Sequence, residues 1–308
     1  MKKDFKKRLL SINRGMVRFQ VSMSEYTTFR VGGPVEALCR VQDITALRKL
    51  CAFLHIEGIP FLIVGRGSNL LVSDQGFEGV AIILDGELAR VNEYPDEGLD
   101  IACSVVVAGG GAPISDLISF CRLKGLGGLE FLSGIPGTVG GALYMNAGAF
   151  GEEIGSRVQG IRILVGPENR IVEFKKSDLS FSYRRLGIEK GAVIVGASFV
   201  LTGKDKDVIG LRIAEYLKKR KKTQPTGYAS AGSVFKNPPG MYAAKLVQEA
   251  GLKGKRIGGA MISEKHANFI VNTGGAVASD IISLIDLCKN RVKEMAGIDL
   301  ETEIQIVS

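Results

Sequence analysis

Tryptophan is absent from this 308-residue chain, and histidine occurs only twice, as His55 and His266. No apolar run approaches the ~18 residues needed to cross a bilayer. The five cysteines (Cys39, Cys51, Cys103, Cys121 and Cys288) are odd in number, widely spaced and without a Cys-x-x-Cys pair. Those spacings exclude a disulfide framework and a zinc centre, so no metal site is expected and a reducing compartment fits. The amino terminus is charged and lacks the apolar core of a secretion signal, which makes a cytoplasmic location the expectation. Neither Gly203-Lys204 nor Gly254-Lys255 is followed by Ser or Thr, so there is no P-loop. Forty Lys plus Arg against 32 Asp plus Glu give +8, a surplus that suits anionic small molecules as well as nucleic acid. No nucleic-acid reader motif accompanies it, so neither a nucleic-acid nor a membrane partner is expected, and protein partners stay open.

What is present is a chain long enough for two or three domains, with 40 glycines gathered into a few short stretches. Periodicity predicts a helix over 43–57, with Asp43 as its cap and Gly58 as its stop. Strands are expected at 60–65, 79–84 and 99–108, then a helix from Pro113 to about Lys124, stopped by Gly125. Residues 160–165 and 170–174 read as a hairpin around Pro167, and 192–201 as a further strand. Beyond residue 203 the pattern turns helical. Helices are expected at 207–222 (apolar Val208, Ile209, Leu211, Ala214 and Leu217), 241–250 and 279–295, the last capped by Ser279. Short strands at 231–235, 261–262, 268–272 and 303–307 lie between and after them. The basic runs Lys2–Arg8 and Lys218–Lys222 read as a solvated arm or helix face and as a helix C-terminus, respectively. The expected division is therefore 1–203, in two parts of about 1–85 and 86–203, and 204–308.

Two glycine stretches carry the first functional signal. Gly65-Arg66-Gly67-Ser68-Asn69-Leu70 follows a strand and begins like G-x-G-x-x-G, but Leu70 replaces the third glycine and no helix start follows. A dinucleotide-binding βαβ unit is thereby disfavoured; a phosphate-cradling loop and a plain tight turn remain level. The second stretch runs Ser133-Gly134-Ile135-Pro136-Gly137-Thr138-Val139-Gly140-Gly141-Ala142 and on through Asn146-Ala147-Gly148-Ala149. Backbone donors with so little side-chain bulk suit a flat, heteroatom-rich ligand such as a flavin or an adenine.

With these stretches in view, the chain resembles the UDP-N-acetylenolpyruvoylglucosamine reductases. The resemblance rests on Thr28–Pro34, Gly65–Asp74, Gly128–Ala142 with Met145–Gly148, Phe181–Arg184, Ala231–Pro238, Ala250–Gly254, Ser263–Asn272 and Leu300–Ile304. Any one stretch would be weak, but all stand in the family's order. Ser233 follows Arg184 by only 49 residues, as in the subtype without a long insert. Two departures stand out: Arg184 is followed by Arg185 and Leu186, where the family usually has serine two residues after the arginine, and Asn237 stands where many of this subtype carry arginine. The resemblance implies an α+β fold: an FAD-binding fold of the vanillyl-alcohol-oxidase/PCMH type in two α+β subdomains, then a C-terminal α+β substrate-binding domain. It implies non-covalent FAD held by the two glycine stretches, NADPH as co-substrate, and an enolpyruvyl ether of a UDP-sugar reduced to UDP-N-acetylmuramate.

Residue roles carried over are Arg184 as the cation for charge building toward the substrate carboxylate, Ser233 as proton donor to C2, and Glu303 as the group orienting or polarising the enolate. Tyr183, Lys236, Asn237 and His266 are expected to bind substrate. On pattern alone, a turn hydroxyl after Gly232 is the commoner meaning of Ser233, and a solvent-facing strand position that of Glu303. A Tyr-Arg pair is likewise more often a surface feature. A sugar or hydroxy-acid oxidase of the same superfold is the competing enzyme reading. Such oxidases often tether flavin through His or Cys, and neither residue occurs in the main glycine stretches.

Overall fold

The computed structural model describes residues 3–94, 103–166, 168–189 and 191–308. The chain folds into two compact units that do not follow chain order. Unit 1 comprises 1–19, 37–65 and 79–218; unit 2 comprises 20–36, 66–78 and 219–308. The C-terminal unit thus takes two early segments in addition to everything after Lys218. The reason lies in pairing at long range. Strand Gln305–Val307 runs parallel to Leu70–Val72 in register Gln305↔Leu70, and Phe29, Val31 and Leu71 sit in one apolar cluster with Val234, Phe235, Ile281 and Leu284.

Unit 1 is organised on two sheets. One has the strand order 17–22, 34–41, 77–84, 61–63, the last two parallel. Helix α1 (Lys3–Ile12) and helix α2 (Ile44–Ile56) contribute Phe5, Leu9, Leu47, Leu50 and Leu54 to a core with Val80 and Ile82 of this sheet. Lys7 and Arg8 of the basic run are exposed on a helix whose Phe5 and Leu9 point inward. Asp43 caps α2 as expected, accepting from the Ala46 N–H at 2.8 Å.

The other sheet runs Arg170–Lys175, Val158–Val165, Val193–Gly203, Cys103–Gly109, Val91–Tyr94, with Leu126–Gly127 also paired to the central strand. Its inward residues Val106, Ala108, Ile161, Ile163, Ala197 and Phe199 pack with Ile114, Leu117 and Cys121 of α3 (Ile114–Lys124) and Leu143 of α4 (Val139–Tyr144). Gly125 ends α3 in the left-handed region at φ 70°, which a Cβ would oppose. The hairpin 158–165/170–175 forms as read; Pro167, and residues 99–102 of the expected strand 99–108, lie outside the described residues.

Several expectations are corrected. Helix α5 (Lys206–Thr223) forms, but it buries Ile209 and Tyr216, while Val208, Leu211 and Leu217 are exposed, Leu211 at 73%. Of the apolar positions Val208, Ile209, Leu211, Ala214 and Leu217 only Ile209 is buried, and the inward side follows 209, 213, 216 and 220 at helical spacing. Helix α6 (Ala243–Glu249) starts two residues later than expected, because Met241 closes a turn onto the Pro238 carbonyl.

Helix α7 (Ala278–Ala296) is not capped by Ser279: Val277 is the cap, and the first free N–H groups, of Ala278 and Ser279, donate to the Asp74 carboxylate at 2.7 and 2.9 Å. Segment 231–235 is no strand and makes an isolated bridge at Phe235↔Thr302. There the Asn268 amide takes both backbone bonds of Phe235. The remaining unit 2 strands are Arg256–Ile257, Ala260–Ile262, Ile270–Asn272 and Gln305–Val307. No helix among the described residues is long and apolar enough to cross a membrane.

Candidate active site

In unit 1 the second glycine stretch is a loop leading into α4. Thr138 caps α4, its Oγ1 accepting from the Gly141 N–H at 3.4 Å. A Cβ built on Gly65 would stand 2.6 Å from that Oγ1, so the end of the preceding strand must be glycine for the two segments to touch. Gly140 donates to the Gly110 carbonyl at 2.8 Å, and a Cβ there would meet the same oxygen at 2.9 Å. The stretch sorts its residues. Ser133, Thr138, Ala142 and Asn146 are buried; Gly134, Pro136 and Gly141 are exposed; Ile135, Gly137, Gly140, Ala147, Gly148 and Ala149 are half-buried. Asn146 spends its amide internally, donating to Glu153 Oε2 (2.7 Å) and the Ser182 carbonyl (3.0 Å) and accepting from Gly155 N–H (3.1 Å).

Those bonds tie the loop to a second hairpin, in which Phe181–Ser182 pairs with Arg185–Leu186 and Tyr183-Arg184 form the two-residue turn. Arg184 holds φ 56° whereas Tyr183 is not left-handed, the pattern of a type II turn, in which only the second central residue takes positive φ. Its guanidinium carbon lies 5.0 Å from the Tyr183 ring centroid, and a Cβ on Gly148 would come within 3.2 Å of its Nη1. The arginine thus lies against the glycine stretch because Gly148 offers no side chain. Arg185 is exposed.

In unit 2 the first glycine stretch continues from Arg66, which is exposed. Gly67 (φ 61°) is buried against backbone: a Cβ would lie 1.9 Å from the Tyr26 carbonyl oxygen, and Thr28 donates its N–H to the Gly67 carbonyl at 3.1 Å. Gly33 N–H donates to the Ser73 carbonyl at 2.8 Å. Segment Thr28–Pro34 is therefore the buttress of Gly65–Asp74, a role its spacing does not announce. Ser68 is half-buried, and Leu70 is buried at the start of strand Leu70–Val72. Asn69 Nδ2 donates to the Glu303 carbonyl at 3.1 Å, and Gln305 N–H to the Asn69 carbonyl at 2.8 Å.

Glu303 N–H in turn donates to the carbonyl of Val234, next to Ser233, at 2.7 Å. Three distant sequence motifs thus meet in one backbone ladder, with Asn69, Ser233 and Glu303 all half-buried. Lys236 makes an ion pair with Glu301. Asn237 Oδ1 accepts from the Ala243 N–H at 3.0 Å at the start of α6. His266 Nδ1 accepts from the Asn268 N–H at 3.3 Å, and its ring meets Phe269 edge-on at 4.8 Å. Burial lowers the His266 pKa, a backbone hydrogen bond raises it, and nearby Lys253 lowers it; the net shift favours the neutral ring.

The two-sheet α+β fold is that of the FAD-binding flavoproteins: residues 35–175 match the FAD binding domain family. A VAO-type flavoprotein from Myceliophthora thermophila C1 shares the fold at a TM-score of 0.52 and 11% identity, over 66% of this chain and 48% of its own. Residues 224–307 match the family described as UDP-N-acetylenolpyruvoylglucosamine reductase, C-terminal domain. A UDP-N-acetylenolpyruvoylglucosamine reductase from Geotalea uraniireducens (strain Rf4) is 42% identical over 307 residues, covering 100% of this chain and 99% of that protein. One from Syntrophus aciditrophicus (strain SB) is 43% identical, covering 98% and 95%. The crystal structure of the Thermus caldophilus reductase superposes with a TM-score of 0.80 at 35% identity, over 95% of this chain and 100% of that one. The chain belongs to the UDP-N-acetylenolpyruvoylglucosamine reductase family.

Proposed function

We propose that this chain catalyses the NADPH-driven, FAD-dependent reduction of UDP-N-acetyl-3-O-(1-carboxyvinyl)-glucosamine to UDP-N-acetylmuramate in the bacterial cytoplasm, a step of peptidoglycan precursor synthesis. The observation that supports the reading is the Asn69–Glu303–Val234 ladder, which sets the backbone of Glu303 beside the segment that carries Ser233 in unit 2. Gly65, Gly67 and Gly140 hold the two glycine stretches against neighbouring protein atoms, which a Cβ would approach within 3 Å, and the exposed Gly134 and Gly141 leave low-bulk backbone against which a flat cofactor can lie.

FAD, when bound, supplies hydride taken from NADPH to one carbon of the enolpyruvyl double bond. The chain's own groups manage charge and proton. Arg184 faces the negative charge that builds toward the substrate carboxylate as hydride adds at C3. Its planar fork also orients that carboxylate. Ser233 gives its hydroxyl proton to C2, and Glu303 orients the enolate through a strong hydrogen bond. Tyr183, Lys236, Asn237 and His266 bind or shape the sugar nucleotide; Asn237 and His266 do so from turns that their own side chains fix.

Anaerobic stopped-flow absorbance tests the reading. The parent protein is yellow, NADPH bleaches it, and the enolpyruvyl sugar nucleotide restores the colour; a colourless protein that fails to bind added FAD overturns the assignment. Ser233→Ala bleaches at the parental rate but reoxidises ~10²–10⁴-fold more slowly, the usual cost of losing a positioned general acid. Parental reoxidation in that variant refutes the serine's role.

A further inference from the structure

Phe150 occupies a backbone conformation that its side chain does not favour. Strand Gly148–Ala149 pairs with Glu152–Glu153 across a two-residue turn, Phe150-Gly151, whose φ values are 56° and 86°. Both central residues of such a turn need positive φ, a demand met at low cost by Asn, Asp or Gly and poorly by a bulky aromatic. Gly151 meets the demand, and nothing lies within 4 Å of where its Cβ would be. The ring of Phe150 supplies what the backbone lacks: it stacks on Tyr216 of α5, with centroids 4.6 Å apart and planes 23° from parallel. Tyr216 is 5% exposed and anchored in the unit 1 core, whereas Phe150 is 45% exposed. The aromatic residue therefore fastens an exposed turn onto a side chain buried in the core.

What the latch holds is the bed of Arg184. The two strand ends of the latched hairpin are Gly148, against which the Arg184 guanidinium lies, and Glu153, whose carboxylate accepts from Asn146. Asn146 also donates to the Ser182 carbonyl, immediately before the Tyr183-Arg184 turn. One buried amide thus couples the two hairpins. A shift of the Phe150-Gly151 turn is passed to Gly148 and Glu153, and from there to the arginine.

We propose that Phe150, through its stack on Tyr216, is a positioning residue for Arg184. This inference rests on the proposed function, since it assumes that Arg184 serves the reduction of the enolpyruvyl substrate. Strain at a positive-φ residue persists where the surroundings over-determine it, and such sites cluster where geometry serves function.

The test uses the full-length flavoprotein and follows the two half-reactions separately. In Phe150→Ala, FAD content and bleaching by NADPH stay at parental values, while reoxidation at saturating enolpyruvyl substrate slows ~10- to 100-fold, the scale on which a misplaced charge lowers a rate. Phe150→Tyr, which keeps the stack, restores the rate. Phe150→Gly removes the ring but relaxes the turn, so it carries the test if Phe150→Ala fails to retain FAD. It too reoxidises slowly. In the Arg184→Ala background, Phe150→Gly adds no further loss, because the group it positions is gone.

Parental reoxidation in Phe150→Gly, or fully additive losses with Arg184→Ala, overturns the inference. Those outcomes are distinct from failure of the functional reading itself, in which the parent's reduced flavin is not reoxidised by the enolpyruvyl sugar nucleotide at all.

Discussion

Two adjacent arginines sit in the Tyr183–Leu186 hairpin, and substitution of each separates charge chemistry from surface charge. Arg184 is half-buried against Gly148, while Arg185 is exposed on the strand that follows. Loss of one charge-stabilising donor at a developing anion costs ~2.7–4 kcal/mol, or ~10²–10³ in kcat. Arg184→Ala is expected to fall by that factor with FAD content unchanged, and Arg185→Ala to stay within a few-fold of the parent. The backbone provides an internal control. Position 184 lies at φ 56°, where an L-residue costs ~1–2 kcal/mol relative to the right-handed region and glycine does not. Arg184→Ala keeps that strain and Arg184→Gly releases it. The glycine variant should therefore be equally inactive yet more resistant to urea than the alanine variant, by up to ~1 kcal/mol after glycine's extra freedom in the unfolded chain is set against the gain. The assay is NADPH consumption at saturating enolpyruvyl substrate, paired with visible absorbance for flavin content and a urea midpoint. Collapse of Arg185→Ala with Arg184→Ala near the parental rate would refute the reasoning, since the half-buried arginine would then not be the working one.

Two further outcomes follow from side-chain environments elsewhere. Burial raises the Asp74 pKa, but hydrogen bonds from Ser279 and Ala278 outweigh it and hold the carboxyl below the usual carboxylate range. A lowered folded-state pKa contributes stability above the unfolded value, and that stability is lost as pH falls through the folded one. The urea-midpoint gap between parent and Asp74→Asn should therefore be widest at neutral pH and close on acidification below ~4; a gap that ignores pH contradicts the assignment. Burial pushes the Cys39, Cys51, Cys121 and Cys288 thiols up to about 12, and Cys103 alone among the five is half-exposed. A thiol-exchange reagent at mildly alkaline pH should label one cysteine quickly in the native protein and all five in denaturant; rapid labelling of two or more refutes the burial argument.

How much of this was legible in the chain depends on the range of the interaction that fixes each element. Helix α2, with Asp43 before it and Gly58 after it, and the 158–175 hairpin were readable because cap, turn and periodicity all lie within a few residues. The apolar positions of α5 misled, since Leu211 and Leu217 are as greasy as core residues but face outward, and sequence does not say which side meets a core. The cap of α7 was unreadable for a different reason. Its acceptor, Asp74, lies 204 residues away, whereas Ser279 beside the helix start looked sufficient. The two-unit division escaped chain-order reading on the same ground. The family pattern, in contrast, named Arg184, Ser233 and Glu303 before any geometry. What geometry adds is the backbone route from Asn69 through Glu303 to Val234, and the Gly148 bed of Arg184. The buttressing part of Thr28–Pro34 and the Phe150 stack carry no local signal, because each depends on what the chain meets after it has turned back.

The parallel pairing of Gln305–Val307 with Leu70–Val72 also has a consequence for synthesis on the ribosome. The two partners are 235 residues apart, so at ~5–20 residues per second the earlier strand waits about 12–47 s for its neighbour to be made. Throughout that interval Leu70, Leu71 and Val72, all buried in the finished protein, present an open apolar edge in the nascent chain. Vectorial folding can complete much of unit 1 early, but unit 2 must be assembled from segments that emerge at both ends of the process. A fragment beginning near residue 204 would lack Phe29, Val31 and Leu71 from its core and the partner of its final strand, so this C-terminal third depends on segments made more than 200 residues earlier.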